Sequence, residues 1–309
     1  LAEYRADGTR LQAISLSAAN GNSLTSSSTG SEGLLTRSAN GQCLAVPGYA
    51  AAPGDTPVLK ASTALAAQRV LALVGADGSV GNFRRLGAQA FDGDSIRSAA
   101  SSDCVDAWAS GKAAVPKGGV DFGGIWFAGA NPLQLAPGNM QGLAVTGQLF
   151  VSIAGGGTLN QIGTGLPTSG LPAALPIAGL ASDNFRGIAF VRLQPASVGA
   201  DTLYVAANSA GTIQKYVRNG DAWEARGTVA LAGVHGLVAM PTGEGNAMIF
   251  ATDGNGALNR LFDTSGAQGV LNGAPVVVAT PAAKEMFYGL ALAPEASAPP
   301  GVPGAPRSE

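Results

Sequence analysis

The chain has 309 residues, 46% of them hydrophobic and 12% charged, with a formal net charge of −2. That composition supports a sizeable core and leaves no basic footprint for nucleic acid or an anionic membrane. No uninterrupted apolar run reaches the roughly 18 residues of a membrane span, and 45 glycines argue for many tight turns rather than for helices.

The first element is a hairpin over residues 2–17, turning at Asp7-Gly8. Asp-Gly or Asn-Gly between apolar stretches is the strongest short-range hairpin signal, because Gly supplies the positive φ the turn needs. Next comes "SEGLLTRSANG", a strand led by Gly33, followed by the short apolar strand "QCLAVPG" and a second hairpin over 69–87 that turns at Asp77-Gly78. "DSIRSAASSDC" reads as a degenerate copy of the Gly-led strand, with Arg97 in the place of the glycine; "CVDAWAS" and the hairpin "GGVDFGGIWFAGANPLQLA" follow it. The order then recurs: "MQGLAVTG", "QLFVSIAG" and an irregular hairpin; "FRGIAFVR", "DTLYVAAN" and a hairpin turning at Asn219-Gly220; "VHGLVAMP", "AMIFATDG" and a hairpin ending in "VVVAT". A last Gly-led strand, "FYGLALAP", has no hairpin after it.

The leading glycines repeat every 45 to 53 residues (142 to 187, 187 to 236, 236 to 289). A Gly-led strand, a short apolar strand and a hairpin make a four-stranded antiparallel meander, and repeats of this length arranged radially describe a β-propeller. Six Gly-led strands predict an all-β, six-bladed propeller over residues 1–293, with seven blades as the alternative. The 2–17 hairpin and the 286–293 strand are expected to share the closing blade, which lacks an obvious second strand; that strand is expected upstream of Leu1, unless the blade has only three. The Pro-rich 294–309 segment reads as a tail or linker.

The stretch "DTLYVAANSAGTIQKYVRNGDAWEARGTVAL" resembles extracellular propeller repeats of the NHL and YVTN type, in which a "LYVA" strand precedes an "IQKY"-like strand. With "SEGLLTRSANGQCLAVPGY" and "FRGIAF", the chain looks like a group of large secreted or surface-attached bacterial propeller proteins. The resemblance implies the architecture and an extracellular or cell-surface location; it implies no reaction, since fold does not fix function.

The single histidine, His235, immediately precedes a repeat glycine. The matching residues of the other units are Glu32, Ile96, Gln141, Arg186 and Tyr288. Equivalent positions in equivalent blades would set Glu32, Gln141, Arg186, His235 and Tyr288 at one level around the central channel, where they could bind a small ligand with hydroxyl or carboxylate groups or act as acid and base. The competing reading is a solvated channel lining. Cys43 and Cys104 follow inner strands of successive units, so a disulfide between neighbouring blades is one expectation and two buried thiols the other. Asp92 and Asp94, and Asp253 and Asn255, alternate in Gly-rich loops that offer oxygen ligands to Ca²⁺, although turn formation accounts for both pairs; no other cofactor is expected.

With sparse charge and no catalytic constellation, the sequence favours a non-enzymatic extracellular or cell-surface binding or structural module, with an extracellular protein or glycan as partner. The alternatives are a hydrolase or lyase acting on a small polar or glycan substrate in the channel through His235 with Arg186 or Glu32, and a carbohydrate-binding module presenting Trp108, Trp126 or Trp223.

Overall fold

The structure, a computed structural model, describes residues 1–16, 23–27, 30–52, 59–115, 117–283 and 285–296. A two-stranded hairpin comes first, β1 (Ala2–Tyr4) and β2 (Arg10–Ala13). Five four-stranded antiparallel blades follow, each a meander in chain order. Blade I holds β3 (Thr36–Arg37), β4 (Cys43–Tyr49), β5 (Arg69–Gly75) and β6 (Val80–Arg85). Blade II holds β7 (Ile96–Ser101), β8 (Ala107–Gly111), β9 (Gly124–Phe127) and β10 (Leu133–Ala136). Blade III runs through β11 (Met140–Val145), β12 (Leu149–Ile153), β13 (Leu159–Ile162) and β14 (Ala174–Pro176), and blade IV through β15 (Phe185–Val191), β16 (Thr202–Ala207), β17 (Thr212–Asn219) and β18 (Ala222–Ala230). Blade V closes the series with β19 (Leu237–Pro241), β20 (Ala247–Thr252), β21 (Leu258–Asp263) and β22 (Val276–Ala279).

The glycines that lead the inner strands are demanded by space. A Cβ on Gly142, Gly187, Gly236 or Gly289 would lie under 3.0 Å from backbone atoms of the neighbouring inner segment: those of Arg186, Leu237, Tyr288 and Gly33 respectively. Side chains on the second strands stitch the same approach. The Gly142 N–H donates to Ser152 Oγ (2.9 Å), which donates to the Phe185 carbonyl of the next blade (2.6 Å). Thr252 repeats the arrangement between Gly236 (2.8 Å) and the Tyr288 carbonyl (2.7 Å). Ser110 Oγ reaches the Gln141 carbonyl (2.5 Å), and Asn208 Nδ2 the Val234 carbonyl (2.9 Å).

The apolar core is divided among the gaps between blades. Leu71, Phe91 and Trp126 belong to the I–II cluster, Trp108, Leu143 and Val151 to II–III, Phe150, Phe185 and Trp223 to III–IV, and Tyr204, Leu237 and Ile249 to IV–V. The IV–V gap also holds a fully buried ion pair, Lys215 Nζ to Asp263 Oδ2 at 2.7 Å, with Tyr204 and Ser265 hydroxyls donating to the same carboxylate (2.6 Å each). All three tryptophans are core residues, so none is presented to a glycan.

The expectations of six or seven blades and of a blade shared by the termini are corrected by this topology: the blades are five. The hairpin β1–β2 forms a sheet of its own, and residues 286–293 carry no strand. Both stand between blade V and blade I. Tyr4 packs edge-on against Phe287 (5.3 Å), Arg260 of blade V donates to the Ala6 carbonyl, and Leu1, Ile14 and Leu16 pack on Val70 and Val74 of blade I. The reason is a missing strand. No described strand lies between 288–292 and β1, so that inner segment has no ladder partner and stays half-exposed, whereas β7 is buried along its length.

Cys43 and Cys104 are joined, with an S–S distance of 2.16 Å and Cα atoms 6.0 Å apart, tying blade I to blade II across 61 residues of sequence. The calcium candidates are engaged by other groups of the protein. Asp92 Oδ1 accepts from the Ala64 N–H, Asp94 pairs with Lys112 (3.1 Å) and Lys60 (3.6 Å), and Asp253 accepts from Asn255 N, Ala257 N and Asn259 Nδ2. Among the described residues no group of three or more His, Cys, Asp and Glu side chains is placed to hold a metal ion, and no helix is long and apolar enough to cross a membrane.

Two stability measurements follow from the packing. Gly142→Ala is expected to cost about 1–3 kcal/mol or more in chemical denaturation, because its methyl must displace the Arg186 backbone. Reduction of the Cys43–Cys104 bond is expected to lower the denaturation free energy by up to about 4 kcal/mol, the loop-closure value for a loop of this length; an unchanged midpoint would show that the loop is already constrained.

Candidate functional site

Side chains on or just ahead of the inner strands converge on one end of the central channel. In β7, β11 and β15 the ladder register shifts between Ile96 and Ser98, Met140 and Leu143, and Phe185 and Ile188. The residues spanned, Arg97, Gln141 and Arg186, are thereby lifted out of the pleat, as bulges do when they re-aim a side chain. In blade II the structure corrects the expected register by one residue. Ser98, whose Oγ accepts from the Leu143 N–H (3.2 Å), stands where the other strands carry glycine, and Arg97 rather than Ile96 stands in the ring. Ile96 is a core residue.

The converging side chains close around the segment 30–32. Arg186 Nη1 donates to the Gly30 carbonyl and to His235 Nδ1 (2.5 Å for the latter). Gln141 Nε2 donates to the Ser31 carbonyl (3.1 Å), and its Oε1 accepts from Arg97 Nη1 (3.1 Å). Arg97 also bonds Asn139 Oδ1 (2.6 Å), the Met140 carbonyl (3.1 Å) and Ser95 Oγ (3.2 Å). Glu32 is buried and accepts from the Tyr49 hydroxyl (2.8 Å) and the Ser27 N–H (3.1 Å). Tyr288 stands edge-on to the His235 ring at 5.4 Å, its hydroxyl 3.4 Å from Met286 Sδ. Glu32, Gln141, Arg186, His235 and Tyr288 thus lie in one neighbourhood, and Glu32 forms no ion pair with Arg186 among the described residues.

Behind this cluster lies a cavity of about 290 Å³, lined along the inner strands by Leu143, Ile188, Val238 and Leu290 among others, with Arg186 in its wall. Its walls mix polar and apolar groups in similar measure, because the inner strands present backbone as well as side chains to the axis.

Burial sets the electrostatics. Desolvation, and then the charge of Arg97, bring Arg186 down to about 10. Desolvation, and then the charge of Arg186, push His235 down to about 4. The imidazole is therefore neutral near pH 7, with Nδ1 accepting from Arg186 and the proton on Nε2. Desolvation also lowers Arg97, and desolvation and the neighbouring Glu32 raise Tyr49. Such an arrangement supplies a cation, a neutral imidazole and several fixed donors at the mouth of a cavity of mixed polarity, the pattern of a binding or reacting site.

No family model matches the chain, and no curated protein sequence is significantly similar to it. Solved structures do resemble it. A periplasmic gluconolactonase from Pseudomonas aeruginosa is 13% identical, with 78% of this chain and 70% of that one covered and a TM-score of 0.49. A soluble aldose sugar dehydrogenase from Escherichia coli is 14% identical over 81% of this chain and 86% of that one, with a TM-score of 0.47. A calcium-binding regucalcin from Agrobacterium tumefaciens is 13% identical over 75% and 70%, with a TM-score of 0.45. Likenesses of this size concern the β-propeller fold and assign no reaction; neither do they single out the NHL or YVTN type. The expectation of a non-enzymatic binding or structural module is corrected at the site itself: the polar ring is a half-buried, hydrogen-bonded cluster rather than a solvated lining.

The His235 shift has a consequence for stability. An unfolded chain takes up this proton near pH 6.5 and the folded chain only near 4. Between those values the unfolded state binds more protons, so stability falls as pH drops from about 6.5 to 4. Thermal denaturation across this window is expected to show that loss in the native protein and a smaller one in His235→Gln; equal slopes would place the titration elsewhere.

Proposed function

We propose that the chain is a hydrolase or lyase whose small polar or sugar-derived substrate enters the channel mouth at Arg186 and His235. The observation that carries this reading is the Arg186 Nη1 to His235 Nδ1 hydrogen bond at the edge of the cavity. In the resting site Arg186 occupies the one lone pair the neutral imidazole offers. A substrate oxygen that draws Arg186 away frees Nδ1 to accept a proton from an attacking water or from a substrate carbon. The guanidinium is then aimed at the developing negative charge, where a preorganised donor is worth most. Gln141 and Arg97 hold the Ser31 and Met140 carbonyls on either side and fix the shape of the mouth.

The disulfide between blades I and II supports a secreted or periplasmic location, since such bonds persist in oxidising compartments. The Asp92, Asp94, Asp253 and Asn255 loops are read as turns, not as a calcium site.

A panel of sugar lactones and small uronic-acid glycosides tests the reading. Turnover of at least one compound is expected, with His235→Ala reducing kcat by about 10²–10⁴-fold, the usual contribution of a positioned acid or base. Turnover that survives His235→Ala unchanged, or none across the panel, would reject it.

A further inference from the structure

Arg186 is engaged through one nitrogen. Nη1 makes both of its bonds, to the Gly30 carbonyl and to His235. Its Nε is buried and has no partner, and no bond from Nη2 occurs among the described residues. Nε and Nη2 form one edge of the planar guanidinium, the geometry that holds two oxygens of a carboxylate or phosphate in parallel. No protein acid answers it. The partners of Arg97 beside it are neutral as well: Ser95, Asn139, Gln141 and the Met140 carbonyl. The acid of the cluster, Glu32, is held by Tyr49 and Ser27. Arg186, in the cavity wall and bonded to no carboxylate, holds positive charge out of water without a counter-charge beside it. Such an arrangement is costly until an anion arrives.

We infer that the substrate is an anion whose carboxylate or phosphate seats on the Nε–Nη2 edge of Arg186, with the body of the molecule in the cavity behind. This rests on the channel mouth being the active site. It goes beyond that reading in requiring charge: an uncharged sugar of the same size fills the cavity and leaves the guanidinium edge empty. The seat also accounts for how Arg186 would be drawn from His235, since a bidentate anion is a stronger acceptor than a neutral imidazole.

Calorimetric titration of the full chain with D-gluconate, D-glucose and inorganic phosphate tests the inference. Gluconate is expected to bind at least about tenfold more tightly than glucose, a difference of about 1.4 kcal/mol, and to weaken as salt is raised. Arg186→Gln is expected to abolish the preference and Arg186→Lys to restore only part of it, because an ammonium lacks the fork. Phosphate that displaces gluconate at similar concentration assigns the seat to a phosphoryl group; failure to displace it assigns the seat to a carboxylate. Equal affinity for gluconate and glucose in the native protein overturns the inference, whatever the folding of the variants. Anion binding lost in Arg186→Gln without turnover of any lactone keeps the seat and rejects the hydrolase; turnover of neutral lactones with no anion preference does the reverse.

Discussion

The structure depends on how closely the inner segments of neighbouring blades approach one another. At Gly142, Gly187, Gly236 and Gly289 the next backbone lies where a Cβ would be. None of these four has a positive φ, so space alone selects the glycine. Closeness on this scale would strand backbone polar groups, and buried groups left unpaired cost about 1–3 kcal/mol each. Ser110, Ser152, Asn208 and Thr252 answer that by lending side-chain donors and acceptors across the blade boundary. Blade geometry and hydrogen-bond satisfaction are therefore one requirement, met repeatedly.

The candidate site is a by-product of the same arrangement. The residue before each close approach has no room within the pleat and is lifted toward the channel mouth, which is how Gln141 and Arg186 arrive beside the 30–32 segment. Because the blades converge there, unlike side chains from separate units meet where they are buried or half-buried. That is why the single histidine is held neutral and why Arg186 stands without a carboxylate bonded to it. The buried Lys215–Asp263 pair shows the contrasting case: charge sealed inside a gap, matched by Tyr204 and Ser265, and so structural.

Much of this is legible in the residues. The Asp-Gly and Asn-Gly turns mark hairpins, and the glycine period marks the inner strands, because both are local demands of backbone conformation and space. The convergence of Glu32, Gln141, Arg186, His235 and Tyr288 follows from counting along equivalent strands. Counting glycines puts Ile96 in the ring and misses Arg97 by one residue, because Ser98 stands in the glycine's place and turns its Oγ to the Leu143 N–H of the next blade. The incomplete closure was harder to read, since "FYGLALAP" carries the inner-strand pattern and lacks only a partner to pair with. The Arg186–His235 bond left no trace in the sequence, because it joins side chains 49 residues apart through two blades.

One titration bears directly on the claim that close inner-strand packing creates the site. The chain has a single histidine, so its imidazole can be followed by NMR without assignment. The account predicts a pKa near 4 for His235 in the native protein, and a return toward the ordinary 6.5 in Gly236→Ala, whose methyl would push the Tyr288 segment away from it. An ordinary value in the native protein, or a low value that the variant leaves unmoved, would contradict it.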